Sequence, residues 1–150
     1  IAAITSTYST PFADLGITPE GCSSIKFARR MGEKNAQRIL ENEGWRPNAD
    51  EALAAGLVQW VVPKDQLQAE AQKVAQEWIT DGRSRKILGG SDLSELQAVN
   101  ARESIMLANR FLGADFLRGQ FSFLWRKKKH LQSIVFLILW GLRPLWKHFL

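Results

Sequence analysis

The rhythm of hydrophobic and polar positions changes several times along the chain. Ile1 to Phe12 is uncharged and rich in Ile, Thr, Ser and Tyr-type positions. That predicts a strand and a following extended segment, with Pro11 near its end. Asp14 to Thr18 predicts a turn. Thr18 as N-cap and Pro19 at the first helical position predict a helix from about Pro19 to Arg30, stopped by Gly32. A second helix is expected over Glu33 to Glu43, closed by Gly44. Asn48 or Asp50 can cap a short helix that Gly56 ends, and Leu57 to Val62 predicts a short strand before Pro63. The clearest amphipathic pattern is Asp65 to Ile79, with Leu67, Ala71, Val74 and Trp78 on one face. "TDGRSRKILGGSD" reads as a linker. Asp92 with Glu95 resembles a capping box that opens a long helix through about Leu112. A last body helix is expected over about Asp115 to Lys129, and the chain has no internal repeat.

The tail breaks this pattern. "HLQSIVFLILWGLRPLWKHFL" is apolar without interruption from Ile134 to Trp140, and on to Leu142 if Gly141 is tolerated. A spanning helix needs about 20 such residues. Gln132, Ser133, Arg143, Pro144 and Lys147 interrupt this one, so a terminal helix packed on the body or on a partner is the plainer expectation. The basic cluster Arg126 to Lys129 ahead of it suits a weak interfacial membrane contact through residues 130–150.

Charge sharpens the division. The net charge is +5, yet six of the 20 basic residues lie from Arg126 onward with no acidic residue among them. The remainder holds 14 basic against 15 acidic residues. The body therefore carries no nucleic-acid footprint. Hydrophobic content of 45% against 23% charged is that of a globular chain, and 150 residues predict one domain. A single cysteine, Cys22, excludes an internal disulfide and fits a reducing compartment. Both histidines, His130 and His148, lie near the C-terminus, so no metal-ligand cluster is predicted. The chain opens on Ile1 with nothing resembling a signal peptide, and is expected to be part of a longer protein.

One stretch stands out chemically. In "TPEGCSS", Glu20 is surrounded by residues too small to shield it. A carboxylate at a helix start commonly serves only to stabilise the helix dipole. Placed instead in a pocket, it can move a proton. Cys22 reads as a small buried filler. Trp45, Trp60 and Trp78 are expected in the helical layer or at subunit contacts.

"TPFADLGITPEGCSS" resembles the crotonase, or enoyl-CoA hydratase/isomerase, superfamily. "NADEALAAGLVQWVVP" is similar to that superfamily's helix-and-strand signature. "PFADLG" followed by "PEGCSS", with "LQAVNARES", is most similar to its peroxisomal-type Δ3,Δ2-enoyl-CoA isomerase branch. The resemblance covers roughly Thr7 to Lys129. It implies the α/β spiral fold of the ClpP/crotonase type: residues 1–30 as the end of the spiral core, 31–129 as a mainly α-helical C-terminal region for oligomerisation, and 130–150 as an added tail.

The resemblance implies that Glu20 is the catalytic base, removing a proton alpha to an acyl-CoA thioester and returning it at the gamma carbon. Such an activity belongs to fatty-acid beta-oxidation. Phe12, Leu15, Gly21 and Ile25 become substrate-binding candidates, with Phe12 as a plain core residue the alternative. Hydratases of the superfamily resemble "PEILLGTIPGAGG" here and carry a glutamate where this chain has Phe12, so hydration is disfavoured. Arg126 to Lys129 are candidates for the phosphates of CoA, a solvated charged face being the default.

No metal or redox cofactor is implied, and coenzyme A enters only as part of the substrate. The implied assembly is a homotrimer or a hexamer. The implied oxyanion hole lies upstream of this chain, so the 150 residues are expected to be inactive alone. A bacterial cytoplasmic setting is expected, because the C-terminus His148-Phe149-Leu150 lacks the Ser-Lys-Leu peroxisomal address; a peroxisomal or mitochondrial one is the alternative. The competing reading is a non-catalytic CoA-binding or protein-interaction module, as in chromodomain Y-like corepressors. A third is a membrane-attached assembly subunit.

Overall fold

The computed structural model describes residues 1–41, 44–83 and 92–149. The predicted end of the second helix at Glu43 and most of the predicted linker lie outside the described residues.

The first strand is much shorter than the uncharged run that predicts it. β1 (Ala2–Ala3) pairs in parallel with β2 (Val61–Val62), Ala2 opposite Val61 and Ala3 opposite Val62. A parallel pair needs a long crossover, and this one contains α1 (Phe12–Leu15), α2 (Ser23–Met31), α3 (Glu33–Leu40) and α4 (Ala49–Ala54). The segment after β1 is held by other means. Thr7 bridges to Asn48, and the Tyr8 N–H donates to the Pro47 carbonyl at 3.0 Å. The Thr10 hydroxyl donates to the Ile39 carbonyl.

Two helix starts differ from their predictions. Phe12, predicted as the end of the extended segment, instead opens a helical turn, Phe12–Leu15, which Gly16 closes at φ 66°. The helix predicted from Pro19 begins at Ser23. Gly21 and Cys22 have φ of 65° and 63°, left-handed values through which no right-handed helix can pass. Thr18, predicted as N-cap, is buried, and its hydroxyl oxygen has no hydrogen-bond partner among the described residues.

The main cluster forms where α2 and α3 meet around Gly32. Met31, Ala36, Ile39 and Leu40 are buried there, with Tyr8, Phe12, Phe27, Trp45 and Leu57 packed against them. Arg38 lies over the Trp45 ring, 4.1 Å from its centroid. α4 begins as predicted. The Asn48 side chain accepts from the Glu51 N–H, and the Glu51 carboxylate accepts from the Asn48 N–H, both at 2.9 Å.

After a 3-10 turn at Lys64–Gln66 comes α5 (Leu67–Thr80). Val74 is buried and Leu67 and Ala71 are half-buried, but Trp78 is 43% exposed. Every residue from Ala75 to Arg83 is exposed, so the C-terminal half of α5 runs off the body and the predicted apolar face stops at Val74.

α6 (Leu93–Arg110) and α7 (Ala114–Arg126) are followed by α8 (His130–Gly141), α9 (Arg143–Trp146) and a 3-10 turn at Lys147–Phe149. α6 and α7 end earlier than predicted because Leu112 and Lys128 adopt left-handed conformations. At the second of these, Lys128 N–H donates to Trp125 and Lys129 N–H to Leu124, the bond pair of a Schellman stop. Lysine fills the place usually taken by glycine, so composition gave no signal.

The tail is thus a terminal helix packed on the body. Ser133 is fully buried and donates its hydroxyl to the Phe121 carbonyl at 2.7 Å. Phe111, Phe116 and Phe136 meet edge-on at 5.1 and 6.2 Å between centroids. Among the described residues no helix is long and apolar enough to cross a membrane. Leu131, Ile134, Val135 and Ile138 nevertheless face outward.

α7 also reaches back to α1. A Cβ on Gly119 would lie 2.7 Å from the Leu15 backbone, and one on Gly16 would lie 2.5 Å from the Asp115 backbone. The two glycines allow this approach, and it sets the segment before α2 against the C-terminal helices.

Candidate functional site

Glu20 opens the four-residue turn that precedes α2. The Ser23 N–H donates to the Glu20 carbonyl at 3.1 Å, and both central residues have positive φ. Gly21 takes this conformation freely. Cys22 does not: a left-handed residue with a Cβ costs roughly 1–2 kcal/mol. The surrounding structure must therefore hold it there.

Glu103, from α6, does so. Its carboxylate accepts the Cys22 N–H at 2.6 Å, the Ser24 N–H at 3.0 Å, and the Ser24 hydroxyl. Glu103 is 4% exposed. The two N–H groups stand at the start of α2, where a helix has no carbonyl of its own to offer. Charge-assisted bonds of this kind are about twice as strong as neutral ones. The carboxylate that completes α2 is therefore Glu103, a residue the sequence reading did not single out.

The same face of α6 supplies further attachments. Glu95, Leu96, Val99 and Glu103 fall at helical spacing. Glu95 pairs with Arg29 of α2, and this bond raises the Arg29 pKa. The Cys22 thiol donates to the Leu96 carbonyl at 3.3 Å, and Val99 and Glu103 are buried. A carboxylate on an otherwise apolar stripe (Leu96, Val99, Leu107) is the sequence signal that would have found it.

Glu20 stands in contrast. It is exposed, lies outside α2, and its carboxylate has no hydrogen bond or ion pair among the described residues. The other named candidates fall around it unevenly. Gly21 is exposed in the turn, with open space where a Cβ would lie. Ile25 is half-buried on the first turn of α2. Leu15 is half-buried, with its backbone against Gly119. Phe12 is half-buried and packs against the cluster of α2 and α3. Cys22 is a buried free thiol.

Beside α1 and α7 lies an open cleft of about 470 Å³. Arg110, Arg118 and Arg126 line it together with Asp14, Asp115 and Ser122. Arg126 thus faces the cleft with two arginines the sequence reading passed over, although Arg118, Ser122 and Arg126 are spaced by four on α7. Lys127, Lys128 and Lys129 are exposed in the turn after it. Among the described residues no group of three or more His, Cys, Asp or Glu could hold a metal ion. The arrangement can do one kind of chemistry: an unpartnered carboxylate on the turn before α2 can exchange a proton with a bound molecule.

Residues 1–130 match the family model described as Enoyl-CoA hydratase/isomerase. The human protein named Enoyl-CoA delta isomerase 2 is 34% identical over 128 residues, which is 82% of this chain and 32% of that protein. Human Chromodomain Y-like protein 2 is 31% identical over 125 residues, 80% of this chain and 24% of that protein. The crystal structure of an enoyl-CoA hydratase from Mycobacterium avium subsp. paratuberculosis K-10 is similar with a TM-score of 0.69 at 25% identity. That similarity covers 83% of this chain and 52% of the solved one. The chain therefore spans about a third or less of these two human relatives, and about half of the solved hydratase.

Proposed function

The chain belongs to the enoyl-CoA hydratase/isomerase family and carries part of the crotonase fold; on that premise we propose that it is the base-bearing portion of an acyl-CoA isomerase. The reaction moves a 3-enoyl-CoA double bond to the 2-position. Glu20 takes a proton from the carbon alpha to the thioester carbonyl. The electron pair delocalises directly onto the thioester oxygen and, through the old double bond, onto the gamma carbon, where the same proton returns. Nothing else is consumed or released. In this proposal the enolate oxygen is held by backbone N–H donors that the family supplies from sequence preceding Ile1.

One observation supports this reading most. The ordinary duty of a carboxylate near a helix start is discharged by Glu103, which leaves Glu20 exposed and unpartnered. A proton shuttle needs that freedom, because a carboxylate bound to several donors is held in its ionised form. Assembly into a trimer or a hexamer is part of the proposal. It is supported by the apolar residues that α6 to α9 leave exposed, among them Ile105, Met106, Trp125 and Leu145.

The test is isomerisation of a 3-enoyl-CoA by the full-length protein, wild type beside Glu20→Gln at matched folding and oligomer state. The substitution keeps size and hydrogen bonding but removes the base. Loss of at least about 1,000-fold in kcat, with acyl-CoA binding retained, is the expected result. Equal activity in both forms would remove Glu20 from the mechanism. The similarity to a chromodomain Y-like protein supports a second reading, a binding module without catalysis. A wild type that binds acyl-CoA but turns nothing over would select it.

A further inference from the structure

We propose that Glu103 is the positioning residue for Glu20. The inference rests on the reading of Glu20 as the base and adds how that base is held.

The argument is geometric. Glu20 has no side-chain partner among the described residues, so its placement depends on its backbone. That backbone enters a turn whose two central residues are left-handed, one of them a cysteine. Successive residues of this kind turn their N–H groups into a concavity that binds an anion. Here the anion is the Glu103 carboxylate, which takes the Cys22 and Ser24 N–H groups and the Ser24 hydroxyl.

Glu103 in turn is fixed by α6. That helix is tied to α2 at its other end through Glu95 and Arg29, and Val99 between the two glutamates is buried. The chain of support runs from α6 to the turn and from the turn to Glu20. Glu103 itself has its oxygens committed to three donors and is buried, so it reaches Glu20 only through the backbone it holds.

Misplacing a reacting group by about 1 Å can cost on the order of 100-fold in rate. Glu103→Gln keeps the size but gives up the charge, and turns one acceptor into a donor that opposes an N–H. In the full-length protein it is expected to lower kcat by roughly 10- to 100-fold, with KM for the 3-enoyl-CoA changed less than about threefold.

A merely structural role would act independently of the base. The decisive readout is therefore the double variant: in a Glu20→Gln background, Glu103→Gln is expected to cost no further rate. Additive losses, or a kcat equal to wild type in the single variant, would overturn the proposal. If Glu20→Gln alone is fully active, the base reading falls and takes this one with it. If Glu20→Gln is inactive while Glu103→Gln is not impaired, only the positioning role falls.

Should Glu103→Gln fail to fold, Ser24→Ala takes its place. It removes one of the three donors and is expected to lower kcat about threefold, again with no effect in the Glu20→Gln background. Wild-type kcat in Ser24→Ala would then overturn the proposal.

Discussion

Two helix starts among the described residues are completed by a glutamate, and they differ in where that glutamate comes from. α4 is completed from within: Asn48 and Glu51, three residues apart, exchange bonds with each other's backbone. α2 is completed from 81 residues away, by Glu103 of α6. The local cap lets α4 form on its own terms. The distant cap lets α2 start only when α6 is docked, and it allows a left-handed Cys22 that no local motif would hold. The gain is a turn whose shape is set by tertiary structure. Beside the exposed Glu20, that difference separates a structural helix start from one built around a candidate site.

The comparison breaks most directly at Glu103. Glu103→Ala leaves the buried Cys22 N–H and its neighbour at Ser24 without an acceptor, while Cys22 keeps its strain. A loss of about 3 kcal/mol in unfolding free energy is expected, measured by denaturant titration of the full-length protein. The loss should come with early amide exchange at Cys22 and Ser24 and none at α4. A cost below about 1 kcal/mol would mean that α2 does not depend on its distant cap.

The same contrast explains what the sequence could reveal. The box at Asn48, the cap at Asp92 and the face of α5 up to Val74 rest on neighbours in sequence, and each was legible in it. The start of α2 was placed four residues too early because Thr18 and Pro19 carry a local signal that tertiary contacts override. The stops at Leu112 and Lys128 were invisible because neither left-handed residue is a glycine. Glu20 is a candidate base only through a family motif; periodicity alone gives it a place in the first turn of a helix that in fact begins beyond it. Glu103 was hidden because its role is defined by residues far away in the chain, although a carboxylate within an apolar stripe marked it for attention.

The local cap should be the weaker of the two. Asn48→Ala removes the side-chain acceptor of the Glu51 N–H at the exposed start of α4. About 1 kcal/mol is expected, read from the same titration, with the fraying confined to α4. A loss equal to that of Glu103→Ala would erase the distinction between a near and a distant cap.

The smallest effect belongs to a third start, that of α6, because α6 carries Glu103. Asp92 accepts the Ser94 hydroxyl at 2.6 Å and the Glu95 N–H at 2.7 Å. The Ser94 bond first, and the Glu95 bond after it, hold the Asp92 pKa below its ordinary value of 3.8. A carboxyl whose folded value is lowered stabilises the fold above its unfolded value, and that contribution is lost as pH falls through the folded one. Asp92 is fully exposed, so solvent screens the effect. The protection factor of the Glu95 amide should therefore fall slightly from about pH 4 downward, and an Asp92→Asn variant should show a flatter response over that range. Because α6 is also tied to α2 by Glu95 and Glu103, exchange at Cys22 and Ser24 should be the same in Asp92→Asn as in wild type at neutral pH. If those two amides open together with Glu95, the cap at the start of α6 governs the turn that carries Glu20, and the near and distant caps are one cooperative unit.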